Sequence, residues 1–108
     1  MSGLDDYAFT TTTVTTTPYT VTASDYMVIV NINGASVVNL PQATANNLGR
    51  VYVVKQVASG AAAVTVKTTT STIDGTAGAT GVLVKAANAN GAQHYLSDGT
   101  NYQIICVQ

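Results

Sequence analysis

Apolar and polar positions alternate along much of this chain, and turn residues interrupt the alternation at intervals of roughly 8–12 positions. Residues 19–23 (YTVTA) and 63–68 (AVTVKT) have a clean period of two, which predicts strands with one buried face; in the second, Val64 and Val66 point inward. Residues 26–31 (YMVIVN) are a continuous apolar run, the pattern of a strand covered on both faces, and residues 50–57 (RVYVVKQV) predict the longest strand. Residues 36–40 (SVVNL), 80–85 (TGVLVK), 92–97 (AQHYLS) and 101–107 (NYQIICV) complete a set of about eight strands. Asn33-Gly34 and Asp98-Gly99 each predict a tight hairpin, because both central residues of a type I′ turn need φ > 0. Ile73-Asp74-Gly75 predicts a further turn, and residues 41–49 (PQATANNLG) form the one stretch suited to a helical turn. The fold class expected is all-β: a small β-sandwich or jelly-roll-like domain over residues 18–108.

Residues 1–17 follow a different rule. Positions 10 to 17 are Thr throughout except for Val14. Threonine is stiff at χ1 and favours extended backbone, but this run has almost nothing to bury. It reads as an extended Thr-rich N-terminal arm that pairs with a sheet edge or a neighbour, anchored by Leu4, Tyr7, Phe9 and Val14.

Composition adds a deficit of charge. Of 108 residues 46% are hydrophobic and 8% charged, with five Asp, four Lys or Arg and no Glu. An ordinary soluble domain carries roughly 25% charged residues, so most of the usual surface charge is missing. Hydroxyl and amide side chains, together with coverage by other subunits, are the expected substitutes. The net charge of −1 without a basic cluster speaks against nucleic-acid binding, which draws its affinity from Lys and Arg meeting phosphates. No apolar run reaches the ~18 residues of a membrane span, and no secretory signal is visible at the N-terminus. A single cysteine, Cys106, excludes an intrachain disulfide.

The residues offer little chemistry. His94 is the one histidine, and the acids Asp5, Asp6, Asp25, Asp74 and Asp98 are scattered, so neither a metal centre nor a paired-carboxylate site is expected. Cys106 and His94 fall on neighbouring strands of the last expected hairpin, yet Cys106 sits among Ile104, Ile105 and Val107, the setting of an inert buried thiol. Residues 75–81 (GTAGATG) lack the lysine of a phosphate loop. No catalytic, cofactor-binding or metal-ligating residue is expected, and the chain reads as a non-enzyme. Its six tyrosines suit core or interface positions; stacking on a sugar ring is the alternative use.

Several strands are apolar on both faces. In residues 101–107, Tyr102, Ile104 and Cys106 share one face while Ile105 and Val107 share the other. A sandwich needs one apolar face per sheet, so Tyr102, Ile105 and Val107 are the expected contacts with a second subunit.

The order YTVTASDYMVIVN, VVNLPQA, GRVYVVKQV, AVTVK, TIDG and YLSDGTNYQII resembles a recurrent module of tailed-bacteriophage virion proteins, found in tail fibres, fibre-like appendages and capsid-bound proteins. The likeness runs from Tyr19 to Ile105. The chain departs from the pattern at Tyr102, where the aromatic is often Trp, and in the Ala-Asn-Ala-Asn-Gly loop before the last hairpin. The resemblance implies an all-β homotrimer with no catalytic residues to carry over. A module of this length behind a short arm suits a capsid decoration (cement) protein or short head fibre on the virion. Its partners would be itself and the major capsid protein or another virion protein, with Leu4, Tyr7, Phe9 and Val14 docking. A tail appendage that binds host glycan is the alternative.

Overall fold

Valine and threonine dominate the strands, and their branched side chains pack well on a pleated surface. The computed structural model describes residues 10–57, 63–84 and 91–107. These form eleven strands: β1 (Thr11–Val14), β2 (Tyr19–Thr20), β3 (Met27–Val30), β4 (Ser36–Asn39), β5 (Val51–Gln56), β6 (Val64–Lys67), β7 (Thr72–Ile73), β8 (Thr76–Ala77), β9 (Val82–Val84), β10 (Ala92–Ser97) and β11 (Tyr102–Val107). Seven make one sheet in the order β1-β3-β5-β10-β11-β7-β8, and four make the other in the order β2-β4-β6-β9. The expected all-β sandwich is therefore present.

The path between the sheets differs from a set of hairpins. From β1 to β6 each strand goes to the opposite sheet from the one before it. β1, β3 and β5 run parallel to one another, as do β2, β4 and β6. The first half of the chain is thus a flattened coil of three turns. The second half closes it with antiparallel strands: β10 on β5, β11 on β10 and β9 on β6.

This path overturns the Asn33-Gly34 hairpin. β3 and β4 lie in different sheets, and the backbone groups beside the turn find other partners. Asn31 N–H donates to the Val14 carbonyl (2.9 Å) and Ser36 N–H to the Ala63 carbonyl (3.0 Å). Gly34 is not among the glycines with positive φ, so the type I′ geometry is absent. The other two turns are present, although at Asp98-Gly99 only Gly99 has positive φ, so the type I′ geometry is absent there too. Asp74 (φ 49°) and Gly75 (φ 82°) make the two-residue link between β7 and β8. Residues 98–101 join β10 to β11, with Gly99 at φ 93°. The helical turn expected in residues 41–49 is a single 3-10 turn, Ala45–Asn47, with Thr44 as its N-cap.

The Thr-rich segment is part of the sheet. β1 is its edge strand, in register with β3 from Thr11↔Met27 to Val14↔Val30. Val14 is 4% exposed and belongs to the core, so it is unavailable as a docking contact. Any free arm therefore ends before β1.

The core is built from valines and three tyrosines. Val28, Val30 and Val54 from the larger sheet meet Val38, Val64, Val66 and Val84 from the smaller. Each fully buried valine contributes about 1.5–3 kcal/mol. Tyr52, Tyr95 and Tyr102 fill one end, the rings of Tyr52 and Tyr102 lying 6.2 Å apart and tilted by 59°.

Gly78 gives a direct test of the packing beneath β7 and β8. A Cβ there would lie 2.3 Å from the Ser71 carbonyl oxygen and 2.4 Å from Thr68 Cγ2. Gly78→Ala should lower the unfolding free energy by about 1–3 kcal/mol in urea melts. Gly34→Ala, which meets open space, should change it by no more than about 0.5 kcal/mol.

Candidate functional site

The motifs that carry the phage resemblance serve mainly to hold the fold. In the Leu-Pro-Gln-Ala step, Leu40 and Ala43 are core residues. The Pro41 carbonyl accepts from Tyr102 Oη (2.7 Å) and Thr68 Oγ1 (3.1 Å). Gln42 Oε1 accepts from the amides of Thr70 (2.9 Å) and Ser71 (3.1 Å) and from the Thr69 hydroxyl. In the final hairpin, Asp98 Oδ1 accepts from the amides of Thr100 (3.0 Å) and Asn101 (2.8 Å), and Oδ2 from Gln103 Nε2 (3.0 Å). Those bonds, led by the Asn101 amide, hold the Asp98 carboxyl below its ordinary range. Asn101 Oδ1 in turn accepts from the Thr72 amide (2.8 Å).

Asp25 is the most heavily engaged acid among the described residues. It is 3% exposed, and its carboxylate accepts from Thr12 Oγ1 (2.6 Å), Tyr19 Oη (2.6 Å), the Thr22 amide (2.9 Å) and Thr22 Oγ1 (3.2 Å). β1, β2 and the turn after β2 therefore meet on one carboxylate. Burial pushes the Asp25 carboxyl up, but the bonds from Thr12, Thr22 and Tyr19 together outweigh it and hold the group below its ordinary value. With three donors on Oδ2 and one on Oδ1, this carboxylate acts as a structural staple.

No three His, Cys, Asp or Glu side chains converge on a metal-sized site among the described residues. His94 is half-buried on β10, opposite Val53 on β5 and Cys106 on β11.

The interface residues separate. Tyr102 is fully buried in its own chain, its hydroxyl tied to Pro41, so it cannot meet a second subunit. Its face of β11 is the inner one because the Tyr52 and Tyr95 side chains already fill that end of the sandwich. Ile105 is on the opposite face and is 52% exposed. Alternation places it there, Tyr102 facing in, Gln103 out and Ile104 in; beyond it the partners step from Tyr95↔Ile104 to His94↔Cys106, leaving Ile105 as the unpaired extra residue of a bulge. Leu4, Tyr7 and Phe9 lie outside the described residues, as does the side chain of Val107.

Around Ile105 the outer face of the larger sheet is mixed: Met27, Ile29, Val51 and Leu96 are half-buried, Val53 and Ala92 are buried, and Lys55, His94 and Gln103 are polar. Register places Met27, Val53 and His94 in one row, Ile29, Lys55 and Ala92 in another, and Val51, Leu96 and Gln103 in a third. Tyr26, Gly49, Arg50, Val51, His94 and Ile105 surround a shallow depression of about 480 Å³.

A second concavity was not signalled by any motif. Ala23, Pro41, Thr44, Asn46, Leu48, Arg50 and Tyr52 are among the residues lining a cleft of about 590 Å³ at the tyrosine end. The Arg50 guanidinium lies 4.6 Å from the Tyr52 ring centroid and donates through Nη2 to the Asp25 carbonyl. The available sequence signal was Leu48, an apolar residue in the stretch suited to a helical turn, which is 65% exposed. No protein-family profile, curated protein or solved structure matches this chain.

The Asp25 staple makes stability pH-dependent. A carboxyl depressed on folding stabilises fully above its unfolded value, near 3.8, and that stabilisation is lost as pH falls below it through the lower folded value. Asp25→Asn should be less stable than wild type at pH 7 by about 1–3 kcal/mol, because charge-assisted bonds are replaced by neutral ones. Thermal melts from about pH 7 to pH 2.5 should show the two proteins converging at the acid end. A constant gap across that range would refute the assignment.

Proposed function

We propose that this chain is a structural virion protein, a capsid decoration protein or short head fibre that binds the shell as a homotrimer and stabilises it. The observation that carries the reading is the half-exposed Ile105, on a face that also carries the half-buried Met27, Ile29, Val51 and Leu96, in a chain with 8% charged residues. Such a face is expected to be covered in the working protein. The phage-like motifs, with their structural bonds, favour a module whose work is mechanical. Added contact between shell subunits raises the free energy of opening, with about 25 cal/mol per Å² of apolar surface as an upper guide. A second reading, a tail appendage module that binds host-surface glycan, is favoured by the Arg50 cleft.

Native mass tests the first reading. Light scattering should give three times the 11.1 kDa chain mass. Ile105→Asp should give a folded monomer, since a half-exposed side chain contributes little to the chain's own stability. A wild-type monomer, or an undisturbed trimer in the variant, would sink the interface.

The docking arm is tested by removing residues 1–9, which leaves β1 and Val14 in place. The truncated protein should keep its melting temperature and lose co-sedimentation with capsids. Undiminished co-sedimentation would exclude the arm from docking.

A further inference from the structure

The cleft beside Tyr52 contains a cation that the described residues hold in position without neutralising. Arg50 donates to one backbone carbonyl, that of Asp25, and lies against the Tyr52 ring. Those two contacts fix the plane of the guanidinium. No carboxylate pairs with it among the described residues. The candidate in contact with it, Asp25, has its carboxylate engaged by four other donors. A guanidinium has five N–H donors in a fork that matches a carboxylate, and the structure engages one of its nitrogens.

The other polar groups of the cleft narrow the ligand further. Gln42 Oε1 already accepts from residues 69–71, and Asn47 is used at both ends: its Oδ1 accepts from the Thr44 amide and Ser97 Oγ, and its Nδ2 donates to the Gln42 carbonyl. Thr44 Oγ1 accepts from the Asn46 amide, which leaves its proton to donate. The Asn46 side chain is exposed. The groups left for a ligand are therefore the Arg50 N–H fork, one hydroxyl proton and one amide. Beside them stand the apolar surfaces of Ala23, Pro41 and Leu48, Leu48 being the most exposed large hydrophobic residue described. The volume of about 590 Å³ admits one or two sugar rings.

We infer that this cleft binds an acidic sugar, its carboxylate on Arg50 and its ring against Leu48, with hydroxyls meeting Thr44 and Asn46. The inference rests on the glycan-binding reading and adds to it the charge of the ligand and the residue that recognises it.

The test is NMR titration of the ¹⁵N-labelled full chain with sodium glucuronate, sodium N-acetylneuraminate, glucose and sodium acetate. The two acidic sugars should shift the Arg50 Nε–H and Asn46 side-chain amide signals and saturate, while glucose and acetate at equal concentration should bind at least about tenfold more weakly. Arg50→Met should reduce acidic-sugar affinity by about tenfold or more. If that variant does not fold, Asn46→Asp at an exposed position supplies the same reading, since an added negative charge should weaken the acidic sugars and spare glucose. Glucose binding as tightly as glucuronate at these residues overturns the carboxylate assignment and leaves the glycan reading standing. Acetate binding as tightly overturns the sugar assignment. No shift at these residues with any of the sugars overturns both.

Discussion

Backbone pairing between alternate strands is the constraint on which the rest of this protein depends. β1, β3 and β5 satisfy one another's N–H and C=O groups in one sheet, and β2, β4 and β6 do the same in the other. Parallel strands cannot be joined by a tight turn, so each link must cross the sandwich and return. The crossings bring valines from both sheets into a common core, and they leave few strands paired with their sequence neighbours. The antiparallel strands β9, β10 and β11 then close the last turn of the coil.

The loops between strands are held by side chains with several acceptors or donors each. Asp25 gathers β1 and the turn after β2; Gln42 gathers residues 69–71; Asp98 gathers the final hairpin. In a chain with so few charges, these polar side chains do the work that ion pairs do elsewhere. Hydrogen bonds to an ionised carboxylate are about twice as strong as neutral ones, which makes Asp25 and Asp98 effective staples. The same economy leaves Arg50 unpaired among the described residues, oriented by a tyrosine ring and a carbonyl at the mouth of a cleft.

Two surfaces remain for work outside the fold. One is the outer face of the larger sheet, where Ile105 stands outward beside Val51 and His94. The other is the cleft between Leu48 and Tyr52. The first suits a broad contact with protein, and the second suits a small ligand. They share Arg50 and Gly49 along their border.

What the sequence determined by itself was local or periodic. Period-two alternation identified β6 and its inward Val64 and Val66, and the turns were marked by Asp74, Gly75 and Gly99, which do take positive φ. An apolar residue on each face of β11 was also legible, because alternation assigns faces without naming which is inside. Tertiary structure decided the rest. Asn33-Gly34 has the residues of a hairpin, but the ladder partners of Asn31 and Ser36 are Val14 and Ala63, and no local signal encodes partners that distant. Tyr102 looked like an interface residue and Val14 like an arm residue until the opposing sheet and the β3 edge enclosed them. The Arg50 cleft has no motif because its walls come from separate stretches of chain, residue 23 and residues 41–52, brought together by the coil. Side-chain period is a property of a strand alone, whereas inside, outside and concavity are properties of how strands are stacked.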